Sequence, residues 1–161
     1  MRFRDKGFTL VELMVTIAIV AILTTIAVPA FIGMINKTTA DNESSELYRA
    51  LNYARLESIT RGVAVRLQPV ASGAWSGIVN AQMGQTASLA SILRVMPALS
   101  ANTVVSATSS AGAAAYIEFN NLGALNSPVA SVTITYTRGT QVRTLGVCLN
   151  GRVVLGAACA N

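Results

Sequence analysis

Histidine is absent from all 161 residues, and beyond Glu57 the chain holds no lysine and a single acid, Glu118. General acid–base catalysis draws on histidine or on paired carboxylates held in one site, and this region has neither. Nucleophilic triads fail for want of the same base, although serine and threonine abound. With no histidine, Cys148 and Cys159 are too few ligands for a four-coordinate zinc site. No glycine-rich segment joins a strand to a helix in the pattern that cradles phosphates, and no internal repeat is evident. These absences argue against an enzyme, and neither a cofactor nor a small-molecule substrate is expected.

Apolar residues are plentiful, 52% of the chain, and unevenly placed. Residues 8–35 carry one formal charge, Glu12, and a run of this length exceeds the ~18 residues that suggest a membrane-spanning helix. Arg2, Arg4 and Lys6 precede the run; Lys37 and then the acids Asp41, Glu43 and Glu46 follow it. The positive-inside rule then puts the N-terminus in the cytoplasm and the rest of the chain outside. A cleaved secretory signal competes with this reading, since Val28-Pro29-Ala30 could serve as its cut site. The run is long for a signal, however, and a carboxylate near its start would be costly without purpose. An ionised acid at that depth needs a partner, so Glu12 is a functional candidate; otherwise it lies among headgroups or is protonated. A cation fixed at the same depth would neutralise it best, such as the amine freed by cutting just before Phe8.

The helical pattern continues to Arg61 as an amphipathic segment, with Leu47, Leu51 and Ala54 on one face. Gly62 is the expected terminator, and Pro29 with Gly33 predicts a kink or local unwinding. Thr24 and Thr25 are placed to serve the backbone groups this would free. After Gly62 the period becomes alternating, through Val63, Val65 and Leu67, then Ile117 and Phe119, then Val132, Ile134 and Tyr136. Arg138-Gly139-Thr140 reads as a hairpin tip, and Asn150-Gly151 as a two-residue turn that leaves Cys148 in a strand. The small-residue stretches 71–77, 81–91 and 106–115 read as loops; Trp75 is expected to pack on the sheet or its edge. Glu118 reads as the exposed member of its strand, ion-paired to a nearby arginine. The fold class is thus α+β: a long N-terminal helix packed on an antiparallel β-sheet head, with boundaries at 1–7, 8–35, 36–62 and 63–161. Six arginines after Glu57 face one acid, which favours anionic partners or acids on neighbouring subunits. An even cysteine count in an exported segment favours a Cys148–Cys159 disulfide.

The segment Gly7-Phe8-Thr9-Leu10-Val11-Glu12-Leu13, behind a basic leader and ahead of a long apolar helix, resembles the prepilin signature of type IV pilins and type II secretion pseudopilins. That resemblance implies a leader of residues 1–7 cut between Gly7 and Phe8 by a prepilin peptidase. It also implies N-methylation of Phe8, and Glu12 pairing with the methylated amine of a neighbouring subunit. Further on, Tyr53-Ala54-Arg55-Leu56-Glu57-Ser58-Ile59-Thr60-Arg61-Gly62, Trp75, the 117–123 segment and Asn150-Gly151-Arg152-Val153 are together similar to the GspH/FimT family of minor pilins and pseudopilins. A subunit of that kind partners other major and minor pilins and an inner-membrane assembly platform. It is anchored in the bacterial inner membrane with a periplasmic head, and joins a pilus, priming assembly or sitting near the tip, or joins a secretion pseudopilus. Some members bind DNA through a C-terminal Gly-Arg-x-Arg signature. Here the stretch is Gly151-Arg152-Val153-Val154, so a DNA reading depends on Arg138 and Arg143 restoring charge across the same hairpin as Arg152.

Overall fold

The computed structural model describes residues 8–84 and 90–159. The chain divides into two compact units, one ending at Lys37 and one beginning at Thr38. A single helix, α1 (Leu10–Arg61), contributes to both. In the first unit every residue of 8–35 is exposed, and the helix is apolar on all sides. A helix of that character is long and apolar enough to cross a membrane.

α1 runs unbroken through Pro29 and Gly33. A proline removes one ladder bond, and the remaining bonds on either side hold the turn. The threonine hydroxyls do not serve the carbonyl that Pro29 leaves, that of Thr25. Thr24 Oγ1 donates to the Ala21 carbonyl at 2.9 Å and Thr25 Oγ1 to the Ile22 carbonyl at 2.7 Å, each one turn back.

In the second unit, α1 becomes one-faced. Ala40, Ser44, Leu47, Leu51, Ala54 and Ser58 are buried in a stripe at alternating spacings of four and three, with Ala50 beside it. Most of these side chains are small, which lets the helix backbone approach the strands, while Leu47 and Leu51 supply the volume. Burying each leucine contributes about 1.5–3 kcal/mol. Gly62 then ends the helix in the left-handed region (φ 67°), as a C-terminal cap requires.

Against the stripe lie two five-stranded antiparallel sheets. The first is built from β1 (Val65–Pro69), β2 (Val79–Met83), β3 (Ile92–Met96), β6 (Ile117–Phe119) and β7 (Leu125–Ser127), in the order β3-β2-β1-β6-β7. The second contains β4 (Thr103–Ser109), β5 (Gly112–Ala113), β8 (Val132–Arg138), β9 (Gln141–Val147) and β10 (Val153–Leu155), in the order β10-β9-β8-β4-β5. The chain passes between sheets three times, and one hydrophobic cluster joins the helix stripe to inward residues of both. In β8, Val132, Ile134 and Tyr136 are buried and alternate with threonines, as the period of two predicts. Trp75 is buried in the β1–β2 connection, and its Nε1 donates to the Ala114 carbonyl at 2.8 Å.

Several expectations for the head need correction. Parts of stretches 81–91 and 106–115 are strands, because pairing with neighbours overrides the weak propensity of alanine, serine and glycine. Residues 85–89, inside the first of these, lie outside the described residues. The Asn150-Gly151 hairpin is wider than two residues. Cys148 N donates to the Arg152 carbonyl at 2.9 Å, enclosing Leu149, Asn150 and Gly151, and Gly151 alone of the three has positive φ (78°). That is the three-residue form, in which the left-handed residue is glycine. Cys148 consequently sits just past β9, where it is bonded to Cys159 with a Cα–Cα distance of 5.4 Å.

At the Arg61 end of the helix, two turns interlock. A Cβ on Gly151 would fall 1.7 Å from the Gly123 carbonyl oxygen, and one on Gly123 would fall 2.5 Å from Ile59 Cδ1. Arg55 Nε donates to that same Gly123 carbonyl at 3.0 Å. Gly151→Ala therefore meets both backbone contact and a left-handed φ. It should destabilise the fold by about 2–4 kcal/mol, read as a fall in Tm on the order of 10 °C; thermal unfolding of the purified chain checks this.

Candidate functional site

Two places in the chain concentrate polar chemistry: the start of α1, and the acid-rich turns of α1 that face the sheets. At the start, Thr9 Oγ1 accepts from the Glu12 backbone N–H at 3.2 Å, and the Leu13 N–H reaches the Thr9 carbonyl at 3.2 Å. Thr9 is thus the N-cap, and Thr9-x-x-Glu12 has the spacing of a capping box. The Glu12 carboxylate lies in the first turn, where the positive end of the helix dipole favours a negative charge. Sequence reasoning treated Thr9 only as part of a signature; its capping role was readable from the Thr-x-x-Glu spacing. Phe8 and Glu12 are exposed, and Gly7, like the rest of the expected leader 1–7, lies outside the described residues.

In the second unit, three carboxylates within about one and a half turns of α1 take up donors from the strand side. Asp41 Oδ1 accepts from Arg143 Nε of β9 at 2.7 Å, and Glu46 lies 3.9 Å from Arg94 of β3. Between them, Glu43 uses both oxygens. Oε1 accepts from the Ser100 N–H at 2.8 Å and from the Ser100 hydroxyl, while Oε2 accepts from Tyr136 OH at 2.5 Å and Thr103 Oγ1 at 3.2 Å. Arg138 donates to Thr103 Oγ1 at 3.2 Å and to the Ala101 carbonyl at 3.0 Å. Burial opposes ionisation of Glu43, but the donors of Ser100, Tyr136 and Thr103 together outweigh it and hold the carboxyl below its usual range. Burial, with the bond to Glu43, raises Tyr136.

Glu118 is buried rather than exposed. Arg66 Nε and Nη2 donate to its Oε2 at 2.9 and 2.8 Å, Asn126 Nδ2 donates to its Oε1 at 2.6 Å, and the Arg66 guanidinium stacks 3.6 Å from the centroid of the Tyr116 ring. An arginine pairs it as expected, but both faces of this sheet are covered, so strict alternation does not place Glu118 in solvent.

The three arginines considered for DNA do not converge. Arg143 is neutralised by Asp41. Arg138 stands opposite Gln141 at one end of β9, whereas Arg152 follows Cys148 at the other, so about 20 Å of strand separates them. Among the described residues there is no group of three or more side chains suited to a metal.

Residues 43–152 match the profile of the family described as type II transport protein GspH, and residues 2–28 match the prokaryotic N-terminal methylation motif. The chain belongs to the GspH family. As a GspH-family chain it has the pilin-like fold, a long N-terminal helix with an antiparallel β head, shared with solved relatives of low identity. The type IV minor pilin FimU of Pseudomonas aeruginosa aligns with a TM-score of 0.64 at 22% identity, covering 74% of this chain and 89% of that one. The minor pseudopilin EpsH of the Vibrio cholerae type 2 secretion system aligns with a TM-score of 0.53 at 12% identity, covering 76% and 99%. A type IV major alpha-pilin of Moraxella bovis is 52% identical over 43 residues, and the match spans 27% of each chain. The family is one of structural pilin and pseudopilin subunits.

Two measurements test these networks. Removing the Glu118 charge with Glu118→Gln leaves Arg66 buried without its counter-charge and should cost about 3–5 kcal/mol; Arg66→Met combined with Glu118→Leu should recover most of the loss in chemical denaturation. For Glu43 the folded pKa is lowered, so its contribution is complete above the unfolded value near ~4.3 and disappears as pH falls through the folded value. Glu43→Gln should lower stability at neutral pH by about 1–3 kcal/mol. It should also flatten the acid limb of a stability-against-pH curve, which chemical denaturation from neutral to acid pH would show.

Proposed function

We propose that this chain is a minor type IV pilin that enters a pilus after leader removal and serves to prime assembly or build the tip complex. A structural role, rather than a catalytic one, follows from its family and from the lack of acid–base machinery. On this reading a prepilin peptidase cuts between Gly7 and Phe8 on the cytoplasmic face, and Phe8 becomes the methylated N-terminus. The apolar helix holds the chain in the inner membrane with the head in the periplasm, and an assembly platform there moves it into the filament beside other major and minor pilins.

The observation that carries the proposal is Glu12. It is the single charge in residues 8–35, all of them exposed, and the Thr9 cap fixes it in the first turn beside the new N-terminus. An acid left in lipid needs a cation, and a neighbouring subunit's freed amine supplies one at the same depth. The pairing both removes the cost of the buried charge and sets the axial register between subunits. Pro29 and Gly33 mark the place where α1, continuous in the single chain, has the weakest ladder and can yield during packing. DNA contact is the less favoured role, because Arg138 and Arg143 are already engaged and Arg152 stands apart from them.

Mass analysis of the chain from native membranes should show an N-terminus at Phe8 bearing one added methyl group. An intact leader, or a cut after Ala30, would overturn the mechanism. Glu12→Ala should remain in the membrane yet lose co-isolation with other pilin subunits by roughly 10-fold or more.

A further inference from the structure

A cavity of about 260 Å³ opens in the head between α1 and the end of β3, lined by Glu43 and Glu46 of the helix and by Arg94, Met96 and the 97–99 segment. Its floor is apolar and tied down from several sides. Met96 is buried and stands opposite Val79 of β2, the Leu99 N–H donates to the Ser76 carbonyl at 2.9 Å, and the next residue, Ser100, is bonded to Glu43. The charges at the rim are less settled. Arg94 Nη2 stands 3.9 Å from Glu46 Oε2, beyond the ~3.2 Å reach of an N–H···O bond. Among the described residues the Arg94 guanidinium donates no hydrogen bond, and its other neighbour is the Tyr53 ring, 5.4 Å from the centroid. Glu46 meets one further cation, Arg49, through its other oxygen at 3.5 Å. Arg94 and Glu46 are 44% and 47% exposed, so a donor fork and an acceptor oxygen border one cavity without a bond between them.

We infer that this cavity binds a free α-amino acid with an apolar side chain. Such a molecule carries a carboxylate and an ammonium on one carbon, next to an apolar body. The carboxylate meets the Arg94 guanidinium, whose planar fork matches it; the ammonium meets Glu46 Oε2; and the side chain lies on Met96 and Leu99. A few placed polar groups over an apolar lining is the usual make-up of a small-molecule site, and the volume falls below the ~300 Å³ at which larger ligands are accommodated. The charges select the zwitterion. A lone anion would satisfy Arg94 but face Glu46 and the ionised Glu43, whose own oxygens are taken by Ser100, Thr103 and Tyr136. A lone cation would satisfy Glu46 but face Arg94. The inference goes beyond the assembly reading and does not rest on it.

The test is a titration of the full chain in detergent micelles, followed by NMR of its carbon-13-labelled methionine methyl groups. Met96 lies in the cavity, whereas Met14 and Met34 lie on the apolar run and report the micelle; Met96→Leu identifies the cavity signal. L-leucine should shift the Met96 signal and leave those of Met14 and Met34 in place, saturating with a Kd on the order of 1 mM. Isocaproate, which is leucine without its ammonium, and isoamylamine, which is leucine without its carboxylate, should each bind ~10-fold more weakly. Arg94→Gln and Glu46→Gln should each weaken leucine binding by ~10-fold, and Ala98→Trp, which fills the cavity, should abolish it. A Met96 shift that rises without saturating, either analogue binding as well as leucine, or leucine binding indifferent to Arg94→Gln would overturn the inference. None of these readouts involves Glu12 or other subunits, so failure here leaves the assembly reading intact, and failure of that reading leaves this one intact.

Discussion

The head of this protein depends on how closely the second half of α1 can approach two sheets at once. Ala40, Ser44, Ala50, Ala54 and Ser58 keep the buried stripe low, and the two leucines fill the space between strands that contribute Ile117, Phe119, Ile134 and Leu145. Polar donors then fix the docked position. Asp41, Glu43 and Glu46 meet β9, the loop before β4, and β3 respectively, so elements from both sheets are referred to the same turns of helix. Glu43 carries the most bonds, and its two oxygens are filled by donors that are themselves held by strands.

This arrangement changes the meaning of the basic composition. The surplus of arginine in the head suggests a cationic surface, yet most of that charge is used internally. Arg66 is buried against Glu118 and Tyr116, Arg143 and Arg94 reach back to acids on the helix, and Arg138 closes the end of the β8–β9 hairpin. Arg49, Arg61 and Arg94 stay exposed, each in a surface ion pair with an acid of the helix. Such pairing weakens a polyanion track, where several unpaired cations would follow a backbone together.

The first unit obeys a different constraint. Residues 8–35 are exposed and the helix there is apolar on all sides, which water does not tolerate and lipid does. In that setting the conspicuous features are the polar ones, Glu12 and the threonines. Thr16, Thr24 and Thr25 turn their hydroxyls back to helix carbonyls and add no unmet polarity. Among the described residues Glu12 has no such internal outlet for its charge, which is why the assembly proposal centres on it.

The helix, its lipid-facing run, its terminator at Gly62, the Glu12 position and the alternating strands of the last third were legible in the sequence, because each is set by local periodicity or by a single residue's backbone preference. So was the ion pair of Glu118, from the scarcity of acids. The end of β2 and the second half of β4 were not legible, since alanine and serine become strand only when neighbours supply the pairing, nor was β3, which is short and lacks an alternating pattern. Nor was the burial of Glu118, which follows from covering both faces of one sheet, nor the separation of Arg138 from Arg152, which follows from register along β9. Local chemistry alone determined that there is a helix, an anchor and a β head. Which charges remain available at the surface was decided by tertiary packing, because pairing is a property of distances between segments remote in the chain.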